Sequence, residues 1–304
     1  PSSSSSRLAG LAPVSPEALA ARVAKGERRA LAKAITMVES TRSADRDAAA
    51  TLLGALPKSG TDTVRLGISG PPGVGKSTFI ERFGLHCLDA GRRVAVLTID
   101  PSSSLSGGSI LGDKTRMLEL GRDPRAFIRP SPAGTTLGGV ARRTRETLLL
   151  CEAAGFDLII VETVGVGQSE IAAAGMTDAF LVLLLPLGGD ELQGIKRGIM
   201  ELADIVLVNK ADGEQRPLAQ RTAADYRNAL RLLRPRSLHW TPVVEACSAL
   251  TGDGIESAWE HVRAHHDALA EAGELASVRA SQAKAWLWEE LAEQMMSWLK
   301  ADTH

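Results

Sequence analysis

Two patterns of apolar residues divide the chain. Over the first sixty positions apolar residues recur at three- and four-residue spacing, which predicts helices over Pro16–Val23, Glu27–Val38 and Asp45–Leu56. Leu31, Ile35 and Val38 share one face, and Pro57-Lys-Ser-Gly60 reads as a closing turn. Beyond it, short uninterrupted apolar runs predict strands at Val64–Ile68, Val94–Ile99, Asp157–Val161, Ala179–Leu185, Ile205–Val208 and Pro242–Ala246. Helical stretches lie between them: Lys76 to Ala90 and Leu137–Ala154, stopped by Gly91 and Gly155, then Arg216–Leu233 and Gly254–Ala270. Wholly apolar strands alternating with helices mean an α/β fold, with a mostly parallel sheet covered on both faces. A final helix, Val278–Leu299, carries Trp286, Trp288 and Trp298. The expected division is a helical extension over residues 1–60, an α/β domain over 61–268 and a helical arm over 269–304.

Composition narrows the classes. A chain of 304 residues buries enough surface to fold without disulfide or metal staples. Lys and Arg number 35 against 36 Asp and Glu, a net charge of −1 that gives no general attraction for nucleic acid or anionic membrane. With 44% hydrophobic and 23% charged residues the chain is not disordered, and 4% aromatic content makes its core aliphatic. Cys87, Cys151 and Cys247 are far apart and form no CxxC pair, so buried free thiols in a reducing compartment are expected. The six histidines show no metal-ligand spacing and read as residues of solvated helical faces. The longest apolar run is too short to span a bilayer. Pro1-Ser-Ser-Ser-Ser-Ser-Arg7 has neither a signal-peptide core nor an initiator methionine. The reading is a cytoplasmic protein with a processed or trimmed N-terminus and no membrane partner.

Gly70-Pro71-Pro72-Gly73-Val74-Gly75-Lys76-Ser77 fits GxxxxGK[ST], directly after a strand and before a helix. Its glycines let successive N–H groups turn inward on phosphate oxygens. Lys76 reaches the β- and γ-phosphates, the Ser77 hydroxyl can ligate Mg²⁺, and Thr78 continues the helix N-terminus, whose partial positive charge faces the phosphates. After the strand Ile205–Val208 comes Asn209-Lys210-Ala211-Asp212, an NKxD pattern. A carboxylate at its fourth position accepts from the N1–H and 2-amino groups of guanine, and adenine would leave it unpaired. Asn209 can bond the base and the phosphate loop, and the Lys210 stem covers the base plane. Ser248-Ala249-Leu250, after the last strand, stands where a third base-contacting loop would offer an N–H to guanine O6. Together these read as a site for GTP and GDP.

Asp100 and Glu162 sit at strand ends on the side where parallel sheets bind ligands, and suit Mg²⁺. Glu162-Thr-Val-Gly165 stands where GTPases carry DxxG, with the Gly165 N–H placed to sense the γ-phosphate. Val166 follows instead of the glutamine that orients water in Ras-like proteins, and Gln168 lies two positions on. Such a site binds GTP but is poorly equipped to hydrolyse it alone. Arg129–Gly139 and Leu187–Gly194 are glycine-rich, too flexible for core elements, and read as switch loops or as ordinary surface loops.

Gly70–Ser77, Ile99-Asp-Pro-Ser-Ser103, Glu162-Thr-Val-Gly-Val-Gly-Gln-Ser-Glu170 and Asn209–Asp212 together resemble the MeaB/ArgK family. These are SIMIBI-class P-loop G proteins that act as chaperones of adenosylcobalamin-dependent acyl-CoA mutases, chiefly methylmalonyl-CoA mutase. The resemblance implies that GTP binding and hydrolysis gate cobalamin loading and protect or reactivate the mutase. It implies magnesium-associated positions at Ser77, Asp100, Asp113 and Glu162. It also implies a further switch over Gly189–Lys196, with Lys196 joining Lys76, Gly165 and Gln168 as candidate catalytic residues. Pro71 departs from the second lysine that many members of that class carry, which argues against an ATPase of the partition type. Two alternatives stand beside this reading. A nickel metallochaperone GTPase would need His/Cys clusters that the chain lacks, whereas a nucleotide-gated binding module with negligible turnover would not. On the last helix Val278, Trp286, Leu287, Leu291 and Met295 recur at helical spacing and Trp288 and Trp298 add apolar surface, which predicts a homodimer through this arm. The alternative is an arm packed back on its own N-terminal helices.

Overall fold

A computed structural model describes residues 14–40, 42–57, 62–100, 117–130, 137–163, 168–186 and 197–301. Three helices come first: α1 (Pro16–Ala24), α2 (Arg28–Val38) and α3 (Ser43–Gly54). The Ser15 hydroxyl accepts from the Ala18 amide at 3.2 Å and Pro16 opens α1, the usual chemistry of a helix start. Seven strands follow: β1 (Val64–Ser69), β2 (Val94–Ile99), β3 (Ala126–Arg129), β4 (Leu158–Thr163), β5 (Ala179–Leu184), β6 (Ile205–Val208) and β7 (Val243–Ala246). They form one parallel sheet in the order β3-β2-β4-β1-β5-β6-β7. The remaining described α-helices are α4 (Lys76–Asp89), α5 (Leu118–Arg122), α6 (Leu137–Ala153), α7 (Ser169–Ala174), α8 (Arg197–Met200), α9 (Arg216–Leu230), α10 (Ile255–Glu271) and α11 (Glu274–Ala301).

Alternate residues of each strand supply two cores. Leu97, Ile159, Val161, Phe180, Val182 and Val206 pack against α6 and α9, with α1–α3 stacked outside α6 on Leu19, Leu31, Ile35 and Leu52. Leu66, Ile68, Val96, Ile160, Leu181 and Leu207 pack on the other face against Phe79 and Phe83 of α4 and Trp259 of α10. The parallel α/β architecture expected from the pattern is therefore the architecture found, to within a few residues at each boundary. β3 escaped the pattern because it has four residues and lies half-exposed at the sheet edge.

A recurring device fixes the N-terminal edge of the sheet. Asp157, Asp178 and Asp204 each stand one residue before a strand and accept an amide from the neighbouring strand's start. Asp157 takes Arg93 N at 2.7 Å, Asp178 takes Arg65 N at 3.0 Å and Asp204 takes Phe180 N at 2.8 Å. Charged acceptors make these the stronger kind of hydrogen bond, and they pin the register of adjacent strands.

Three expectations are corrected. The stretch Arg129–Gly139 is not a loop throughout: Arg129 ends β3 and is paired with Glu39, and Leu137 to Gly139 open α6. The histidines are not all solvated, since His265 is 1% exposed and His266 is buried beside it. Burial pushes His265 down to about 4, and its ring meets Trp240 edge-on 5.1 Å away. The first half of the arm does pack back on its own chain, and its described hydrogen bonds and ion pairs lie on the turn before β5 and on α6 rather than on the N-terminal helices. Arg279 donates to Asp178 at 2.7 and 2.9 Å, Gln282 to Thr177 O at 2.8 Å and Trp286 to Gly175 O at 3.2 Å. One turn on, Glu289 and Glu290 pair with Arg145 and Arg142 of α6. Trp288, and farther along Leu291, Met295 and Met296, are exposed. The three cysteines are buried and free, as expected.

Candidate nucleotide-binding site

The phosphate-type loop leaves β1, the central strand, and enters α4. Two close approaches dictate its glycines. A Cβ at Gly70 would stand 2.4 Å from Leu183 O, and Gly75, at φ +94°, would bring one within 2.9 Å of the Asn209 amide nitrogen. The Lys76 ammonium lies over the loop, donating to Gly70 O at 2.7 Å and Pro71 O at 3.3 Å. Both are reversible contacts that phosphate oxygens could replace. Val74 is wholly buried, while Pro72 and Gly73 are exposed.

Asn209 is the hub. It is 2% exposed; its Nδ2 donates to Val74 O at 2.8 Å and its Oδ1 accepts from the Ala249 amide at 2.9 Å. One side chain thus ties the loop after β1 to those after β6 and β7. The Cys247 thiol lies 3.7 Å from the same oxygen, and burial pushes it up to about 12, so it stays protonated. Lys210 is held at φ +63°, a left-handed conformation rare outside glycine and costing of order 1–3 kcal/mol. Asp212 accepts from the Ser248 hydroxyl at 2.5 Å, which orients its carboxylate. The Ser248 and Ala249 amides are engaged within the protein, by Asp253 O and by Asn209.

These loops enclose an open cleft of about 300 Å³ lined by Gly75, Thr78, Asn209, Lys210, Asp212, Gln215, Ala249 and Leu250. So the structure brings together the glycine loop, the NKxD turn and the Ser248–Leu250 turn, as expected. Gln215 was not anticipated; it sits three residues after Asp212 in a short 3-10 turn and carries no motif.

Register places the acidic positions. Glu162 pairs with Thr98 across β2–β4 and with Ile68 across β1–β4, so Glu162, Asp100 and the loop after Ser69 share one end of the sheet. A second unanticipated contact lies here: the buried Thr163 hydroxyl donates to Ser69 Oγ at 2.8 Å, locking the strand carrying Glu162 to the strand feeding the glycine loop. Thr98 Oγ1 is buried with no hydrogen-bond partner among the described residues. Ser77, Asp100 and Glu162 are all hard oxygen donors, the set that suits Mg²⁺ rather than a softer metal. Gln168 occupies the position before α7, with no side-chain hydrogen bond to the helix N-terminus. Asp113, Gly165, Val166 and the Gly189–Lys196 segment lie outside the described residues.

A profile of the family described as "Methylmalonyl Co-A mutase-associated GTPase MeaB" matches residues 31–304. The chain belongs to the MeaB family. That family is one of GTPases, and this member is a GTP-hydrolysing enzyme that binds guanine nucleotide. It is 51% identical over 286 residues to the mouse "Methylmalonic aciduria type A homolog, mitochondrial", covering 91% of this chain and 69% of that protein. It is 46% identical over 281 residues to "GTPase ArgK" of Escherichia coli, covering 92% and 85%. A crystal structure titled "LAO/AO transport system kinase" superposes with a TM-score of 0.81 at 39% identity, covering 96% of this chain and 88% of that one. MeaB membership accounts for the helical extension from α2 onward and for α11, both inside the matched span. No helix among the described residues is long and apolar enough to cross a membrane.

Proposed function

We propose that this chain is the GTP-driven chaperone of an adenosylcobalamin-dependent acyl-CoA mutase, methylmalonyl-CoA mutase or a close relative, whose nucleotide state gates cobalamin loading and protects or reactivates the mutase. The family supports the client class. The observation that carries the nucleotide reading is the Asn209 hub, which joins the phosphate-type loop to both loops of the adjoining cleft. In this reading guanine occupies the cleft, with N1–H and the 2-amino group donating to Asp212 and the Lys210 stem across the base. The α- and β-phosphates accept from the amides of Gly73 to Thr78, and Lys76 leaves its two carbonyls for the β- and γ-phosphates. Ser77, Asp100 and Glu162, with Asp113, are the residues for Mg²⁺, which when bound neutralises charge developing between the β- and γ-phosphates.

Hydrolysis then needs a group that orients water. Val166 cannot, so we assign this to Gln168, with Lys196 and the Gly189–Lys196 switch completing the site when the mutase docks. A group supplied on partner binding adds about 10³–10⁵ in rate in related phosphoryl transfers. The distal arm, with Trp288, Leu291 and Met295 exposed on one helix, is the homodimer surface. The domain boundaries follow: residues 1–60 as extension, 61–268 as GTPase domain and 269–304 as arm. The deciding experiment measures single-turnover GTP hydrolysis with and without the mutase, together with capture of the mutase by the GTP-analogue and GDP forms. Capture in one nucleotide state with accelerated turnover is expected; a mutase that neither binds nor stimulates either form refutes the proposal.

A further inference from the structure

The helix α7 is short, six residues from Ser169 to Ala174, and a helix of that length does not hold itself in water. Its buried residues Ser169, Glu170, Ala173 and Ala174 pack against β1, β4 and α6, and its C-terminal end meets the arm through a turn. Gln168 stands at the N-cap position of the helix, without a side-chain capping hydrogen bond, and the turn Gly175-Met-Thr-Asp178 leads from the other end into β5. That turn is held on one side by β1, through Arg65 and Asp178, and on the other by the arm. Trp286 Nε1 donates to the Gly175 carbonyl, Gln282 Nε2 to the Thr177 carbonyl and Arg279 to both oxygens of Asp178. Residues 279, 282 and 286 lie at spacings of three and four, so a single stripe of α11 makes all three contacts. Met176, the remaining residue of the turn, is buried in the core. From the other side Arg145 of α6 stacks on the Trp286 ring at 5.3 Å and pairs with Glu289, so the indole cannot shift without breaking those contacts.

We infer that Trp286, with Gln282 beneath it, is a positioning residue for GTP hydrolysis: the arm sets where α7 stands and thereby where Gln168 points. This rests on the role given to Gln168 above. The physical reason is lever-like. Small displacements of a reacting group cost rate steeply, as much as about 100-fold for 1 Å, whereas guanine binding at Asn209 and Asp212 does not involve α7 at all. Loss of the arm's grip therefore falls on kcat and spares affinity. It also makes the arm's distal half, which carries the exposed apolar surface, mechanically continuous with the catalytic turn, so a protein that bends the arm changes turnover.

The test uses the full chain. Trp286→Phe deletes the N–H donor and keeps the ring that Arg145 stacks on; Gln282→Met deletes the second donor at similar volume. Single-turnover hydrolysis is expected to fall about tenfold in each, with GTP and GDP affinities within about twofold of the parent. Gln168→Ala tests the underlying role, and Trp286→Phe is repeated in that background. If the arm acts through Gln168, the double variant hydrolyses GTP no more slowly than Gln168→Ala alone. A full tenfold further loss in the double variant overturns the route through Gln168. Unchanged hydrolysis in both arm variants, with Gln168→Ala slowed, overturns the arm's role alone. Unchanged hydrolysis in Gln168→Ala removes the role of Gln168 and the inference with it. Parallel losses of rate and nucleotide affinity in the arm variants mark general destabilisation and also overturn it.

Discussion

Asn209→Ala is the sharpest test of how the three loops are held. The side chain is 2% exposed and serves Val74, 0% exposed, and Ala249, 3% exposed, so truncation leaves one buried carbonyl and one buried amide without partners. Each such group costs about 1–3 kcal/mol. Water entering from the adjoining cleft recovers part of this, giving an expected loss of about 3 kcal/mol, or about 1 M in urea midpoint for m near 3 kcal/mol/M. Asn209→Asp sharpens the reasoning. It keeps an acceptor for the Ala249 amide but sets a second oxygen where the Val74 carbonyl now lies 2.8 Å away, and it buries a charge there. It is therefore expected to be worse than alanine. Urea titrations of the nucleotide-free protein, followed by tryptophan fluorescence, measure both. A midpoint shift under about 0.2 M for alanine, or an aspartate variant milder than alanine, refutes the account of Asn209 as the tether.

Asp212→Asn is expected to weaken GTP by orders of magnitude and to favour xanthosine triphosphate, whose 2-oxo group meets an amide donor; calorimetry showing equal ATP and GTP binding in the parent contradicts this. Burial pushes the Glu146 carboxyl up to about 7 against the opposing Arg142 guanidinium, with Glu290 adding to the rise. The folded state then holds a proton that the unfolded chain has lost between about 4.5 and 7, so stability falls as pH rises through that window. Glu146→Gln should flatten the pH dependence of the urea midpoint, and an unchanged slope assigns it elsewhere. Ending the chain after Glu290 keeps the docked contacts and removes Leu291, Met295 and Met296; light scattering should then show a monomer that still binds GTP, and a dimer would place the interface elsewhere.

The sheet and the cleft were legible because their signals are local. Val94–Ile99 and Ile205–Val208 are wholly apolar and bounded by polar turns, and burial on both faces is the one environment that suits them. The glycine loop and the NKxD turn are short contiguous segments whose backbone demands show in the residues themselves. His265 was misjudged for the opposite reason. It lies between Arg263 and Asp267 on a helix, and its burial comes from Trp240 and Asp204, which are remote in sequence. The arm was half legible. Its apolar spacing is visible, but Arg279, Gln282 and Trp286 dock by hydrogen bonds to a turn a hundred residues away, and a polar stripe on a helix reads as solvent-facing. The Ser69–Thr163 bridge carries no sequence signal, since hydroxyl residues at strand ends are common.

The two ends of the sheet use the same residue types for different ends, and that difference explains why motif positions can be separated from structural ones. Aspartates before β4, β5 and β6 have their oxygens taken by neighbouring strand amides, and Asp178 and Asp204 are further paired with Arg279 and Arg236. Buried pairs of this kind add little net stability, because desolvation offsets their attraction, yet breaking one partner is costly. Their effect is to forbid other registers. Asp204 shows the balance: burial pushes it up to about 6 even with Arg236 opposing the shift. At the other end Asp100 follows β2 and Glu162 sits one residue before the end of β4, on the side of a parallel sheet where ligands bind. An acidic residue entering a strand here fixes the fold, whereas those at the outgoing end lie on the side where parallel sheets bind ligands.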